Sequence, residues 1–349
     1  MATFSKNDSH YMSLALKLAD QGRDGVKANP MVGCVVVKDD QIIAKGYHQT
    51  FGEAHAEINA LEQINHQADG STLYVTLEPC SHVGKTPPCT QAIIDASVQR
   101  VVIATLDPNP LVSGQGLALL EAAGIQVNVG LLENEALMLN RGFIKRMQTG
   151  LPFVTCKIAM SLDGKTAMAS GESQWITGEA ARTDVQHLRA KHQAIMTGSG
   201  TILSDNPSMT VRLDASTVSP LRVVIDSRQK ITDQTLNIFS NDAPTLILDP
   251  SNGKTLENGK LDLTDALKQL GDQGINTVLL EAGPNLIGAM IEAHLIDEFI
   301  IYTAPILMGS HANSMATLVL GTMADKIQLQ LSDIRMVGDD IRITANIKT

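Results

Sequence analysis

The reading of this chain turns on two short stretches, His55-Ala56-Glu57 and the run TLEPCSHVGKTPPC from Thr76 to Cys89. Each stands at a junction between a β-branched, apolar run and a helical pattern, so together they point to an α/β fold carrying a site at its strand ends. Pro79 follows Glu57 by 22 residues, and Cys89 follows Cys80 by nine. One imidazole, His55, and two thiolates, Cys80 and Cys89, fill three positions of a tetrahedral zinc ion. The fourth is left for water, which is the layout of a catalytic site rather than a closed structural one. Zinc lowers the pKa of its water to ~7. Glu57 is then the free carboxylate that carries protons from that water to a departing amine. Geometry adds a condition: positions i and i+2 of a helix stand about 200° apart, so His55 must start a helix and Glu57 must fall in its first turn. A helix starting near Cys89 points its positive end at the metal and favours thiolate. The competing reading is a polar helix-start pair with two buried thiols; the combination at successive strand-to-helix junctions favours the metal. Cys34 and Cys156 lie inside expected strands and read as core.

Outward from these stretches, strands and helices alternate. Met12, Ala15, Leu16 and Ala19 mark an amphipathic helix stopped by Gly22. Met31–Val37 and Gln41–Gly46 form a hairpin turned by Asp39 and Asp40. Helices are expected over 55–64, 89–96, 116–123 and 133–147, and strands over 71–77, 101–105 and 125–129. The pattern is an α/β sandwich with a largely parallel sheet after the opening hairpin. Thr149-Gly150-Leu151-Pro152 interrupts it, which divides the chain into domains 1–149 and 150–349. Beyond it, strands are expected over 153–160, 194–197, 222–226, 245–248, 277–280, 298–304 and 341–347, with a helix over 178–191 capped by Thr177. The halves share no motif, so the chain is not a duplication.

Composition narrows the function. Aromatics are 3% of the 349 residues, with one Trp. The cores are therefore aliphatic, and a stacking platform for single-stranded nucleic acid is excluded. The net charge is −10, and neither half is basic, so nucleic acid is not an expected partner and any phosphate must be held by a local cluster of cations or amides. No apolar run reaches the ~18 residues of a membrane span. The start, MATFSKNDSH, lacks a signal-peptide core. A cytoplasmic protein with no membrane partner is expected, and its cysteines are free thiols or ligands.

His-x-Glu followed by Pro-Cys is the signature of zinc deaminases, although Cys80 and Cys89 are separated by eight residues where that signature has two. Asn29-Pro30-Met31-Val32-Gly33-Cys34, Gly46-Tyr47-His48, the HAE at 55–57 and the long-insert TLEPCSHVGKTPPC resemble the deaminase domain of the bifunctional riboflavin-biosynthesis deaminase/reductase family. The resemblance continues through KIAMSLDGK (157–165), SGESQWIT (170–177), GTILSDNP (200–207), VIDS (224–227) and EAGP (281–284), in order and over essentially the whole chain. It implies a cytidine deaminase-like α/β/α sandwich followed by a dihydrofolate reductase-like α/β domain. It also implies two steps on one phosphorylated pyrimidine: zinc-dependent deamination of a diaminopyrimidinone ribosylamine phosphate, then NADPH-dependent reduction of its ribosyl chain to ribityl. A homo-oligomer, dimer or tetramer, is expected with it. Thr197-Gly198-Ser199-Gly200-Thr201 lacks the third glycine of a Rossmann fingerprint, in keeping with this.

Carried across residue by residue, the resemblance implies zinc at His55, Cys80 and Cys89, with Glu57 as acid and base. Asn29, His48, His82 and Lys85 match positions around the pyrimidine. Ala159, Trp175, Thr201, Asp205, Ser227 and the run Gly283, Pro284, Asn285, Leu286, Ile287, Gly288 and Ala289 match nucleotide-binding positions. Amides at the turn after TVLLE suit a phosphate. Lys157, Ser173, Arg189, Met209, Arg212 and Glu281 fall to the reductase substrate, with Arg189 and Arg212 expected as a forked grip on its phosphate. Where the family commonly has a second acid before Pro207, this chain has Asn206. The competing assignment is a nucleoside or nucleic-acid deaminase with an unrelated accessory domain; the acidic charge and the long insert between Cys80 and Cys89 count against it. A non-catalytic zinc scaffold is the third, opposed by Glu57 beside an open metal position.

Overall fold

The computed structural model describes residues 4–81, 88–109, 113–213 and 218–348. His82 and Lys85 lie outside that set. The chain divides into two compact units, residues 1–150 and 151–349.

The first unit runs α1 (Lys6–Gln21), β1 (Gly33–Lys38), β2 (Gln41–Tyr47), α2 (Ala56–Leu61), β3 (Thr72–Val75), α3 (Cys89–Asp95), β4 (Arg100–Ile103), α4 (Gln115–Ala122), β5 (Gln126–Val129), α5 (Glu133–Leu139) and α6 (Arg141–Thr149). Its sheet has the order β2-β1-β3-β4-β5. The β1–β2 and β1–β3 pairs are antiparallel, and β3–β4 and β4–β5 are parallel. Asp39 and Asp40 both take positive φ, +50° and +57°, the backbone that a two-residue hairpin needs. The strands' two-residue period sends Cys34, Val36, Leu73, Val75, Val101 and Ile103 to one face, against α2, α3 and α4. Val35, Val37, Tyr74 and Val102 go to the other, against α1 and α5. The result is an α/β/α sandwich. Cys34 is fully buried, as is Cys156 in the second unit.

One helix expected over 133–147 is two. Asn140 breaks it because its side chain is committed elsewhere: Oδ1 accepts the Met31 amide at 2.8 Å and Nδ2 donates to the Met31 carbonyl at 2.8 Å. This long-range pair fixes the segment that leads into Gly33. The helix expected over 55–64 finishes as a 3₁₀ turn, Glu62–Ile64. Gly150 ends α6 with φ +77°, a left-handed cap that glycine takes without strain.

The start of α1 is fastened to the sheet through Asp8. Ser5 and Asp8 form a capping box. The Asp8 carboxylate also accepts Tyr74 Oη at 2.7 Å and Arg100 at 2.8 Å, while Arg100 Nε donates to Asn128 at 2.9 Å. Burial pushes the Asp8 carboxyl up, but the Arg100, Tyr74 and Ser5 hydrogen bonds outweigh it and bring it down to about 2. A carboxyl depressed on folding stabilises fully above its unfolded value near ~3.9 and ceases to as pH falls through the folded one. The melting temperature of the first unit is therefore expected to drop between about pH 4 and pH 2. Asp8→Asn should remove most of that dependence and cost about 1–3 kcal/mol at neutral pH. A wild-type pH profile retained in this variant would show that other carboxyls control it.

The second unit runs β6 (Phe153–Ser161), β7 (Lys165–Ala167), α7 (Glu179–Ala190), β8 (Ala194–Gly198), α8 (Ser199–Asp205), β9 (Leu221–Ile225), β10 (Thr245–Leu248), α9 (Leu263–Asp272), β11 (Thr277–Leu280), α10 (Pro284–Glu292), β12 (Glu298–Ala304), β13 (Asn313–Ser314), β14 (Leu329–Val337) and β15 (Asp340–Ile347). Eight strands form one sheet in the order β10-β9-β8-β11-β6-β12-β15-β14, and β13 pairs separately with β7. From β10 to β12 the pairs are parallel; β12–β15 and β15–β14 are antiparallel. Residues of α9 and α10 cover one face, with Val154, Cys156, Met196, Val278 and Leu280 beneath them. On the other face α7 packs over Leu279, Ile300 and Tyr302, and Ile202 of α8 packs with Ile195 and Val224. Thr177 does not cap α7. The N-cap is Gly178, whose amide donates to Asp340 Oδ2 at 2.8 Å, while the Thr177 carbonyl accepts Arg182 at 2.7 Å. Gly178, lacking a side chain, offers no acceptor to the first-turn amides of α7. No helix among the described residues is long and apolar enough to cross a membrane.

Candidate functional site

In the first unit, His55 is the N-cap of α2, with extended backbone, and Glu57 sits in the first turn, which meets the geometric condition read from the sequence. Cys89 is the first residue of α3, after Pro88. Cys80 lies beyond the end of β3. The parallel sheet thus brings two helix starts and a strand exit together. His55 Nδ1 stands 3.3 Å from Cys89 Sγ and 3.6 Å from Cys80 Sγ. Among the described residues these three form the candidate metal cluster, with all ligand atoms within 4.8 Å of one another. Tetrahedral zinc with the usual bond lengths places nitrogen and sulfur ligands about 3.5 Å apart, so the spacing fits the ion.

Electrostatics gives the same answer. A hydrogen bond from the Cys89 thiol, with further ones from His55 and the Cys89 amide, brings the Cys80 thiol down to about 4. Cys89 itself is pushed up, by that same hydrogen bond and by burial. The pair holds one proton readily and loses the second only against the field of the first thiolate. A divalent cation relieves that opposition, and two thiolates with an imidazole are the soft donor set that zinc takes. Glu57 is 3% exposed, and burial pushes its carboxyl up to about 7. A carboxyl of that kind is poised to exchange protons near neutral pH.

Asn29 and His48 meet beside the cluster. The His48 ring lies edge-on to His55 at 5.3 Å between centroids. His48 Nδ1 donates to the Ala54 carbonyl at 3.0 Å, which leaves Nε2 to accept from Asn29 Nδ2 at 3.0 Å. Burial keeps this histidine neutral by pulling its pKa down. The bond pattern orients the Asn29 amide.

In the second unit Ser227, Glu281 and Gly283 follow the carboxyl ends of the parallel strands β9 and β11, where open α/β sheets bind ligands. Glu281 follows β11 and accepts Arg189 through both oxygens, at 2.6 and 3.1 Å. Lys157 Nζ of β6 stands 3.6 Å from the same carboxylate. Arg189 also donates to the Thr210 carbonyl at 3.0 Å. Burial raises the Glu281 carboxyl, but the Arg189 and Lys157 charges outweigh it and hold it at about 2. Arg212 is exposed, and it lies within the field of Arg189 and Glu281. The fork expected of Arg189 and Arg212 therefore has one arm locked by a carboxylate and one arm out in solvent.

The turns after β8 and β11 adjoin: a Cβ added to Gly283 would lie 3.9 Å from Thr201 Oγ1. Gly283 caps α10, and Pro284 is its first residue. Asn285 and Leu286 supply first-turn amides without intrahelical acceptors. Ile287 and Gly288 point into the core, and a Cβ on Gly288 would strike the Thr317 carbonyl. These two can reach a ligand only through the backbone. Met209 is likewise core, 3% exposed. Trp175 is 68% exposed and carries the Arg182 guanidinium 4.7 Å over its ring. Ser227 Oγ accepts the Leu261 amide, and Asp205 accepts Ser204 Oγ. Ala159 and Ser173 are half-buried. Arg182 and Thr210 escaped the sequence reading, since neither residue type signals a site by itself.

Two family models match, the cytidine and deoxycytidylate deaminase zinc-binding region over residues 5–105 and the RibD C-terminal domain over residues 152–343. The riboflavin biosynthesis protein RibD of Escherichia coli (strain K12) is 48% identical, with 96% of this chain and 98% of that protein covered. Among solved structures, RibD of Acinetobacter baumannii superposes with a TM-score of 0.90 at 43% identity, covering 99% of each chain. A diaminohydroxyphosphoribosylaminopyrimidine deaminase/5-amino-6-(5-phosphoribosylamino)uracil reductase from Thermotoga maritima gives 0.89 at 32% identity, covering 98% of this chain and 99% of that one. The fold class is the expected one, a cytidine deaminase-like sandwich followed by a RibD-type, dihydrofolate reductase-like α/β domain. With full-length relatives matched over 96–99% of it, the chain belongs to the RibD family and is a bifunctional deaminase and reductase of riboflavin biosynthesis.

Proposed function

We propose that residues 1–149 carry out zinc-dependent hydrolytic deamination of a diaminohydroxyphosphoribosylaminopyrimidine, and that residues 150–349 then reduce the ribosyl chain of the product to ribityl with NADPH. The observation that carries this reading is the buried Glu57 carboxyl beside three ligand atoms at zinc spacing. His55 Nδ1, Cys80 Sγ and Cys89 Sγ would hold the ion. Bound zinc supplies Lewis-acid activation of water at neutral pH. Glu57 takes a proton at a carboxylate oxygen and returns it to the departing ring amine. Asn29, fixed by neutral His48, presents its amide oxygen to a ring N–H, and His82 and Lys85, outside the described residues, are assigned to the pyrimidine by resemblance alone.

In the reductase unit the adjoining turns at Thr201 and Gly283, with the first-turn amides of α10, are suited to the coenzyme's phosphates. Ala159, Trp175, Asp205, Ser227 and the rest of the run to Ala289 would complete its site. NADPH supplies the hydride. Lys157, held by Glu281, orients the reacting end of the ribose, with Ser173 and the Met209 backbone alongside. Arg212 grips the substrate phosphate, and Arg189 keeps Glu281 charged and in place behind it. Ser227 and Arg228 offer a hydroxyl and a guanidinium to the extra phosphate of NADPH; Asp226, the acid that would oppose it by reading the ribose of NADH, is buried and takes the Ile231 amide. The chain works in the cytoplasm as a dimer or tetramer. The bulge between Leu331 and Asp333 supports association alone, because it keeps Leu331, Ile334 and Met336 on one apolar face of an edge strand, 55%, 58% and 61% exposed.

Removing one arm of a charge-assisted contact costs ~1.5–3 kcal/mol, or roughly ten- to more than a hundredfold in kcat/KM. Arg212→Ala is expected to lose that much on the phosphorylated deaminated intermediate and almost nothing on its dephosphorylated form. Equal losses on both would remove Arg212 from the phosphate. Under the same assay NADPH should outperform NADH in wild type, and parity between them would overturn the coenzyme assignment.

A further inference from the structure

Glu78 lies two residues before Cys80 and is 5% exposed. Its carboxylate touches no cation among the described residues. It accepts four backbone amides instead: Asp107 at 3.1 Å and Gly114 at 2.9 Å on Oε2, Gly116 at 2.9 Å and Leu117 at 3.2 Å on Oε1. An ionised carboxylate offers about four acceptor positions, so its capacity is used in full. The donors come from Asp107, after β4, and from residues 114–117 at the start of α4, so one side chain holds both to the strand exit. The Glu78 amide in turn donates to the Thr105 carbonyl at 3.0 Å. Gly116 packs so tightly against the next residue that an added Cβ would meet the Pro79 carbonyl at 2.2 Å. The peptide leading into Cys80 is therefore clamped from one side by Thr105, Gly116 and the Glu78 carboxylate. On the far side, the Cys80 carbonyl and Sγ accept the Thr90 and Cys89 amides of α3, at 3.2 and 3.3 Å.

We propose that Glu78 is a positioning residue for the deaminase centre: its carboxylate anchors Asp107 and the start of α4, residues 114–117, to the exit of β3 and thereby sets where Cys80 Sγ stands. The inference rests on the reading of His55, Cys80 and Cys89 as zinc ligands. Groups that orient a ligand from behind typically govern metal affinity or activity by about 10–100-fold. A glutamine at this position keeps the shape but offers one oxygen for the four amides, and turns an NH₂ toward two of them.

The test uses the full chain. Glu78→Gln and Gly116→Ala, which disturb the clamp by different means, one by removing acceptors and one by adding bulk, are compared with wild type and with Asp8→Asn. The last removes a buried anchor of the same unit that touches no ligand. Zinc affinity is measured by competition with a chelator, and the geometry of the thiolates by the visible absorption of the cobalt-substituted protein. Both clamp variants should bind zinc about 10–100-fold more weakly and shift the cobalt bands, while Asp8→Asn loses stability with wild-type affinity and spectrum. If Glu78→Gln does not fold, Gly116→Ala decides. Wild-type zinc affinity and an unchanged cobalt spectrum in folded clamp variants would overturn the proposal and leave Glu78 as a support of the fold. A wild-type chain that takes up neither metal would overturn the ligand reading, and the positioning role with it.

Discussion

Glu57→Gln is expected to lower deamination by ~10²–10⁴-fold, equivalent to about 3–5 kcal/mol of barrier, with zinc still bound and the fold intact. The substitution preserves the volume of a side chain that is 3% exposed, so the first turn of α2 and the seat of His55 remain. What it removes is the carboxyl proposed to take a proton from water and hand it to nitrogen. Burial has already brought that carboxyl up to about 7, so little driving force is wasted in either direction near neutrality. Reduction of supplied deaminated intermediate should proceed at the wild-type rate in the same variant, because Lys157, Arg189, Arg212 and Glu281 all belong to the second compact unit. A folded Glu57→Gln protein that has lost both activities would break the assignment of one activity to each unit.

Cys80→Ser combined with Cys89→Ser should have a larger effect, leaving deamination at background and no zinc after dialysis, again with reduction untouched. The cause is the donor set. Cys80 is held low enough to be thiolate at neutral pH, while Cys89 surrenders its proton only beside a cation. Serine hydroxyls provide neither charge, and His55 alone does not retain the ion. Cys34→Ser and Cys156→Ser differ in kind: both thiols are fully buried in the cores and should cost stability while leaving the zinc content unchanged. Full zinc in the Cys80/Cys89 double variant would remove these residues from the metal site.

The deaminase centre was legible because its chemistry is carried by rare residue types at strand-to-helix junctions. His55, Glu57, Cys80 and Cys89 stand within a few residues of element ends that periodicity already locates, so sequence spacing translates almost directly into proximity. The support of that centre was not legible. Glu78 acts on backbone amides as far as 39 residues away, and no residue type advertises an amide. Asn140 breaks a helix for the sake of Met31, 109 residues distant, against a local pattern that reads as one continuous helix. In the reductase unit, Arg189 and Arg212 look equivalent in sequence. Only the fold shows that Arg189 is taken by Glu281, 92 residues on. Other omissions had a signal that went unread. Leu263, Ala266, Leu267 and Leu270 follow a helical period behind the cap of Asp262, which accepts the Thr264 and Asp265 amides. β14 hides its alternation behind the bulge, which shifts the apolar register by one residue midway.

One chain is proposed to deaminate first and reduce second, in two units with separate chemistry. The most direct measurement follows ammonia release and NADPH oxidation together, on the diaminohydroxyphosphoribosylaminopyrimidine substrate. Ammonia should appear at the same rate with and without NADPH. NADPH should be consumed in equimolar amount, only after ammonia is released, and not at all on this substrate with Glu57→Gln. Oxidation of NADPH that precedes or outruns ammonia release, or that persists on the diamino substrate in Glu57→Gln, would contradict the account.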